Sequence, residues 1–216
     1  MSSAQSRPEA LVLIAVLVAA SFSSPPASAT PYRSFHVRTV LLGADSSSYY
    51  TLTTERSNHG SYYELDDSVF VSRMSLSGLM VDRRLLRAIS RRDTSTSGRW
   101  VVRENAPPFD LQSYLAAHAV EPAMPSSRLA PCFLVLDSLG LSLAFERNRE
   151  LLVPRQMLGV EVEEGGMQLL DYFVQSGHLL VLMRAGDPEY EGEYREGVLA
   201  IPWTRIDAAM NRVWRE

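Results

Sequence analysis

The chain contains no lysine: all 21 basic residues are Arg, set against 25 acidic side chains in 216 residues, for a formal charge of −4. Without a side-chain amine there is no Schiff-base nucleophile, no phosphate-loop Lys and no Ser-x-x-Lys dyad. The mild acidity offers no electrostatic footprint for nucleic acid or for an anionic membrane surface. There is a single cysteine, Cys132, so no intramolecular disulfide can form and stability must come from packing. Its surroundings, Pro131-Cys132-Phe133-Leu134-Val135-Leu136, are those of a small buried hydrophobe rather than a nucleophile. The four histidines, His36, His59, His118 and His178, show neither His-x-His nor His-Glu-x-x-His spacing, which leaves no recognisable metal ligand set and implies no cofactor. Gly-x-Ser-x-Gly is also missing.

Only one long apolar run occurs, Ala10 to Ala20, preceded by Arg7 and followed by a small, polar, Pro-containing stretch ending in Ala27-Ser28-Ala29. This predicts a secretory signal peptide over 1–29 and a mature chain from Thr30. Eleven residues are too few to cross a ~30 Å hydrocarbon layer, which takes about twenty. The expectation is therefore a secreted or periplasmic protein with no membrane attachment after cleavage; an uncleaved segment would instead act as a tether.

With 46% hydrophobic residues the remainder is rich enough to build a core. Short β-branched and aromatic runs recur every eight to twelve positions, the cadence of a mainly β fold. Strands are predicted over Phe35 to Leu42, Tyr49 to Glu55, Ser68 to Met74, Leu79 to Leu86 and Arg99 to Glu104, with loops over Arg56 to Asp67 and Ser90 to Gly98. Asp110 stands as N-cap of a short mid-chain helix bearing Leu111, Tyr114, Leu115 and His118. Residues 121–131, with three prolines, read as a linker between a first half (30–120) and a second (132–216). Strands then resume over Cys132 to Leu136, Leu141 to Glu146, Glu150 to Val153, Leu158 to Val162, Met167 to Val174, His178 to Arg184 and Gly197 to Ile201. Thr204, with Asp207 three residues on, predicts the cap of a C-terminal helix.

One internal similarity stands out. Gly60-x-Tyr62-x-Glu64 and Gly192-x-Tyr194-x-Glu196 each end a loop ahead of a strand. The pattern predicts two similar antiparallel meanders, comparable in strand cadence to propeller blades or packed as a sandwich, in one domain or two.

The candidate binding residues are His59, Tyr62 and Glu64 in the first of these loops and Tyr190, Glu193, Tyr194 and Glu196 in the second. Functional groups concentrate on loops, and tyrosines there favour contacts with partners. The segment Asp187 to Glu196 carries five carboxylates in ten residues, which reads as a solvated, self-repelling loop whose Glu193 and Glu196 can be removed without loss of stability. Leu136-Asp137-Ser138-Leu139 lacks the Gly of the Gly-Asp-Ser-Leu esterase block, and Asp207-Ala208-Ala209-Met210 lacks the matching His, so the first is a hairpin turn. Two functional readings follow. One is an exported, non-catalytic protein that presents its Tyr/acidic loops to a protein or glycan partner. The other is a small extracytoplasmic hydrolase using carboxylates or a His59-centred site. Convergence of the named residues in one concave pocket would favour the hydrolase.

Overall fold

The computed structural model describes residues 34–61, 63–93, 100–124, 128–158, 166–186 and 193–214. The predicted signal segment, Tyr62, Tyr190 and most of the acidic segment ahead of Glu193 lie outside them. The fold is mainly β, built of antiparallel meanders with a short mid-chain helix and a C-terminal helix.

The first meander runs through β1 (Phe35–Ala44), β2 (Ser48–Ser57), β3 (Glu64–Ser75), β4 (Met80–Asp93) and β5 (Trp100–Asn105), each antiparallel to the one before. Two of these strands are longer than the residue pattern predicts. β3 begins at Glu64 and β4 continues through Asp93, so the loop expected over Arg56 to Asp67 shrinks to residues 58–63. The charged residues stay in the ladder because they find opposite charges on neighbouring strands: Arg56 and Arg91 on Asp67, and Arg92 on Glu64.

Helix α1 (Leu111–Ala117) starts as its N-cap implies, with Asp110 accepting from Ser113 N at 3.1 Å. Tyr114 and His118 lie one turn apart and set their rings against buried Tyr50 of β2. The chain then forms β6 (Glu121–Pro122), the start of the expected linker, which pairs with the end of β1 at Gly43 and Ala44. Gly43 has φ +154°, and a Cβ there would strike the Glu121 carbonyl, so only glycine admits this strand so close.

The second half has two parts. β7 (Phe133–Asp137), β8 (Gly140–Phe145) and β9 (Asn148–Pro154) form a separate three-stranded sheet, and a 3-10 turn follows over Arg155–Met157. Of the predicted strand Leu158 to Val162 only Leu158 is described, and it closes that turn. β10 (Met167–Gln175), β11 (His178–Ala185) and β12 (Glu193–Pro202) form another meander. Ser176 and Gly177 join its first two strands with φ of 50° and 68°, the primed turn geometry that matches strand twist.

Helix α2 (Trp203–Val213) begins one residue before the predicted cap, and Thr204 lies inside it. Pro202 turns the chain directly from strand to helix, and Trp203 N donates to Gly177 O at 2.8 Å, which removes the need for a side-chain cap. Ile206, Ala209 and Val213 form its buried stripe. Together with Leu134, Leu141, Leu143, Leu152, Leu179, Val181 and Ile201 they make the main apolar core, between the three-stranded sheet and β10–β12. Cys132 is buried in this core, as its apolar neighbours imply, and accepts from Trp214 Nε1 at 3.2 Å.

The two meanders meet edge to edge. β12 lies parallel to β1, pairing Phe35 with Glu193, His36 with Tyr194 and Val37 with Arg195, and so closes one nine-stranded sheet. That ladder is three residues long. Beyond it the strands part, and the far end of β1 pairs with β6 instead.

Candidate functional site: the cleft where the two meanders part

Alternate residues of a strand face opposite sides of a sheet. On one face of the first meander stand Val37 and Thr39 of β1, Tyr49, Thr51, Thr53 and Glu55 of β2, and Ser72 and Met74 of β3. His36, Tyr50, Leu52, Arg56 and Asp67 are on the other. β12 does not respect this division. Its Tyr194 ring lies beside His36, centroids 5.8 Å apart, yet Val198 and Ala200 of the same row pack into a cluster with Leu41, Tyr49 and Met74. The strand therefore rotates out of the sheet plane as it leaves β1. The opening between them is a cleft of about 260 Å³, with Glu196, Gly197 and Val198 as one wall and the first face of the meander as the other.

Three hydrogen bonds fasten the point of divergence. Thr39 N donates to Glu196 Oε2 at 2.8 Å, Thr39 Oγ1 donates to Glu196 O at 3.0 Å, and the Tyr49 hydroxyl crosses β1 to donate to Val198 O at 3.0 Å. The Glu196 carboxylate substitutes for the missing strand partner of Thr39, satisfying a backbone N–H that the ladder no longer reaches. It also accepts from the Tyr194 hydroxyl and lies 3.6 Å from Arg184 Nη2. Burial, then the hydrogen bond and charge of Glu196, push the Tyr194 phenol up to about 12. Burial raises the Tyr49 phenol as well.

The cleft lining divides in two. Val37, Tyr49, Met74, Met80 and Val198 supply apolar surface, and Thr51, Thr53 and Ser72 supply hydroxyls. Thr51 stands directly opposite Ser72, and Thr53 opposite Thr39. No hydrogen-bond partner falls on the Thr51, Thr53 or Ser72 hydroxyl among the described residues, so these oxygens are left for whatever enters. Glu55 and Arg83 form an ion pair of 2.5 Å in the same lining, and Arg83 stacks 3.7 Å over the Phe70 ring. No His or Cys lines the cleft. No group of three or more His, Cys, Asp or Glu among the described residues is placed to hold a metal ion.

The residues named from sequence do not assemble into one pocket. His59 is exposed at the β2–β3 turn with φ 50°, and its Nε2 lies 2.8 Å from Asp66 Oδ2. Burial acts to raise the Asp66 pKa, but hydrogen bonds from Ser90 and His59 outweigh it and hold the carboxyl below its usual range. Glu64 opens β3 and faces Arg92 at 3.6 Å. Glu193 is exposed beside Arg195 at 3.1 Å. Ser57 and Glu193 stand at the same end of the sheet, because Phe35 pairs with Ser57 on one side and Glu193 on the other, two strand spacings or ~10 Å apart.

Of the named set only Glu196 lines the cleft. The expectation that Glu193, Tyr194 and Glu196 sit in a solvated loop is corrected here: all three are in β12, Tyr194 is 2% exposed and the Glu196 side chain 10%. A strand that splits away from its neighbour has an inward carboxylate where composition alone suggests a wet one. Residue pattern passed over Thr39, Thr51, Thr53, Ser72, Glu55 and Arg83. The signal available was the row Tyr49-x-Thr51-x-Thr53-x-Glu55, mostly polar at strand spacing and opposite the buried Tyr50-x-Leu52 row. Comparison with family models, with curated proteins and with solved structures returned no match for this chain.

Proposed function

We propose that this is an exported, non-catalytic protein that binds a small neutral ligand in the cleft between β12 and the first meander. The ligand carries hydroxyls along one side and an apolar face on the other, the chemistry of a single sugar ring or a related polyol. The observation that carries this reading is the set of three unpartnered hydroxyls, Thr51, Thr53 and Ser72, beside an apolar surface of Val37, Tyr49, Met74 and Val198. Carboxylates of Glu55 and Glu196 flank them as acceptors for ligand hydroxyls. At about 260 Å³ the cleft falls below the roughly 300 Å³ where drug-sized pockets begin, so the ligand is small. The Tyr/acidic segments named from sequence are kept in this proposal as a separate surface for a protein or glycan partner.

A thermal-shift screen of the mature chain against mono- and disaccharides and polyols tests it, since a native-state ligand raises the melting temperature by mass action. A rise that disappears in Thr51→Val and Thr53→Val supports the site, and equal rises in all three proteins overturn it. Export is checked by intact mass: secreted or periplasmic protein begins at Thr30, whereas cytosolic material keeping Met1 defeats that part of the proposal. The hydrolase alternative draws on the His59–Asp66 bond alone. It requires turnover of ester or glycoside substrates that is lost in His59→Ala.

A further inference from the structure

The polar and apolar parts of the cleft are sorted along the strands. Register places Tyr49 of β2, Met74 of β3 and Met80 of β4 side by side in one row. Thr51, Ser72 and Arg83 form the next row, about 7 Å further along, and Thr53 and Glu55 follow on β2. One end of the floor is therefore apolar, and hydroxyls and charges begin a single row away. Val198 of the facing wall packs into the same apolar cluster as Tyr49 and Met74, so wall and floor agree at that end. Val37, beside Glu55, is an apolar exception at the polar end.

The apolar end does not stop at the cleft. Met80 lines it and is still 57% exposed, and it lies between Leu79 at 70% and Val81 at 54%. A run of three exposed apolar side chains is disfavoured at a soluble surface unless it serves a contact. Nor is this run a frayed tip. Ser75 closes the β3–β4 turn twice, its N–H donating to Leu79 O at 2.8 Å and its Oγ accepting from Leu79 N at 3.0 Å, while Gly78 takes a left-handed φ of +87°. The fold holds an apolar ledge at the mouth of the cleft.

We propose, resting on the cleft reading above, that the ligand is a neutral amphiphile: its polyol headgroup lies over Thr51, Thr53 and Ser72, and a short alkyl tail passes Tyr49 and Met74 and leaves across Met80. An alkyl glycoside and a glycerol monoether share this chemistry. Glu55 and Arg83 neutralise each other and Glu196 is answered by Arg184, so the lining calls for no charge on the headgroup.

The test is calorimetric titration of the purified protein with two series below their micelle-forming concentrations: methyl, butyl and hexyl β-glucoside, and glycerol monoethers with the same tails. Affinity is expected to rise about two- to fourfold per methylene, the upper figure for a CH₂ taken fully out of water and the lower for one-sided contact on an open ledge. The ratio of hexyl to methyl affinity is read within each protein, so that changes in headgroup binding cancel. Met80→Ser is expected to flatten that ratio. Trp100→Ser, on β5 and outside the cleft, is expected to leave it unchanged. Equal binding of methyl and hexyl members, or a gain that survives Met80→Ser, overturns the tail and leaves the headgroup site standing. A gain lost equally in Trp100→Ser also overturns it, because tails then settle on any apolar surface. Binding by neither series removes the cleft reading together with the tail. A chain-length gain confined to one series supports the proposal and assigns the headgroup to a sugar or to glycerol.

Discussion

The two halves of this molecule are stabilised in different ways. Around β7–β12 and α2, leucines and valines from two sheets and a helix meet in a dry core. In the β1–β5 meander, by contrast, charged residues are spread across the strands and neutralised in pairs: Arg56 and Arg91 on Asp67, Arg83 on Glu55, Arg87 on Glu104, Arg92 on Glu64. Apolar burial is non-directional and tolerates any partner of suitable volume, whereas an ion pair holds only the register that makes it. The second half therefore supplies cohesion, and the first supplies specific, partly unsatisfied polar surface. The cleft opens between that surface and β12 of the second half.

The sharpest way to break this comparison is to remove comparable groups from each half. Leu141→Ala in the dry core is expected to destabilise by about 3 to 5 kcal/mol, through lost transfer energy and the cavity left behind, measured by urea unfolding. Asp67→Ala is expected to come close to it, at about 3 kcal/mol, because it takes a fully buried carboxylate away from two largely buried guanidiniums. Were Asp67→Ala neutral, the claim that ion pairs hold the first meander would be wrong. Glu196→Ala is expected to cost about 1 to 3 kcal/mol, since Thr39 N–H and the Tyr194 hydroxyl lose a charged acceptor. Glu193→Ala is expected to stay within about 0.5 kcal/mol, as exposed charges at a strand end do. The contrast between these two glutamates, three residues apart in β12, separates an inward carboxylate from an exposed one on the same strand.

The smallest effect is a pH dependence at the seam. Tyr194 has its folded pKa raised from 10.0 to about 12. A raised folded value means that its stabilising contribution is whole below pH 10 and is lost as pH climbs towards 12. Melting temperature followed from pH 9 to 12 should fall less steeply in Tyr194→Phe than in wild type. Tyr50, raised by burial and by its hydrogen bond to Asp45, keeps a residual slope in that variant.

Much of the fold was legible because its signals are local. Alternation and turn residues located most of the strands, Asp110 marked its helix, and Ser138 and Leu139 fell at the β7–β8 turn. The errors came where distant residues decide. Ser90 to Asp93 look like a loop by composition but extend β4, because Glu64 and Asp67 wait on β3. Thr204 looks like a cap, but the Gly177 carbonyl already satisfies the helix start. The candidate site was read least well. Gly-x-Tyr-x-Glu drew attention to Tyr194 and Glu196 but assigned them to water, and the threonines of β2 carry no motif at all.

By itself the sequence determined that the described chain is mainly β, that it ends in a helix, and that its lone cysteine is core. Each of these depends on residues near in sequence or on a hydrophobic pattern that any packing must bury. Only the tertiary structure decided that β12 joins β1 for three residues and then leaves it. That divergence is set by how two separate sheets pack, a balance of contacts between residues more than 140 positions apart, such as Tyr49 and Val198. No local preference encodes it, and the cleft exists because of it.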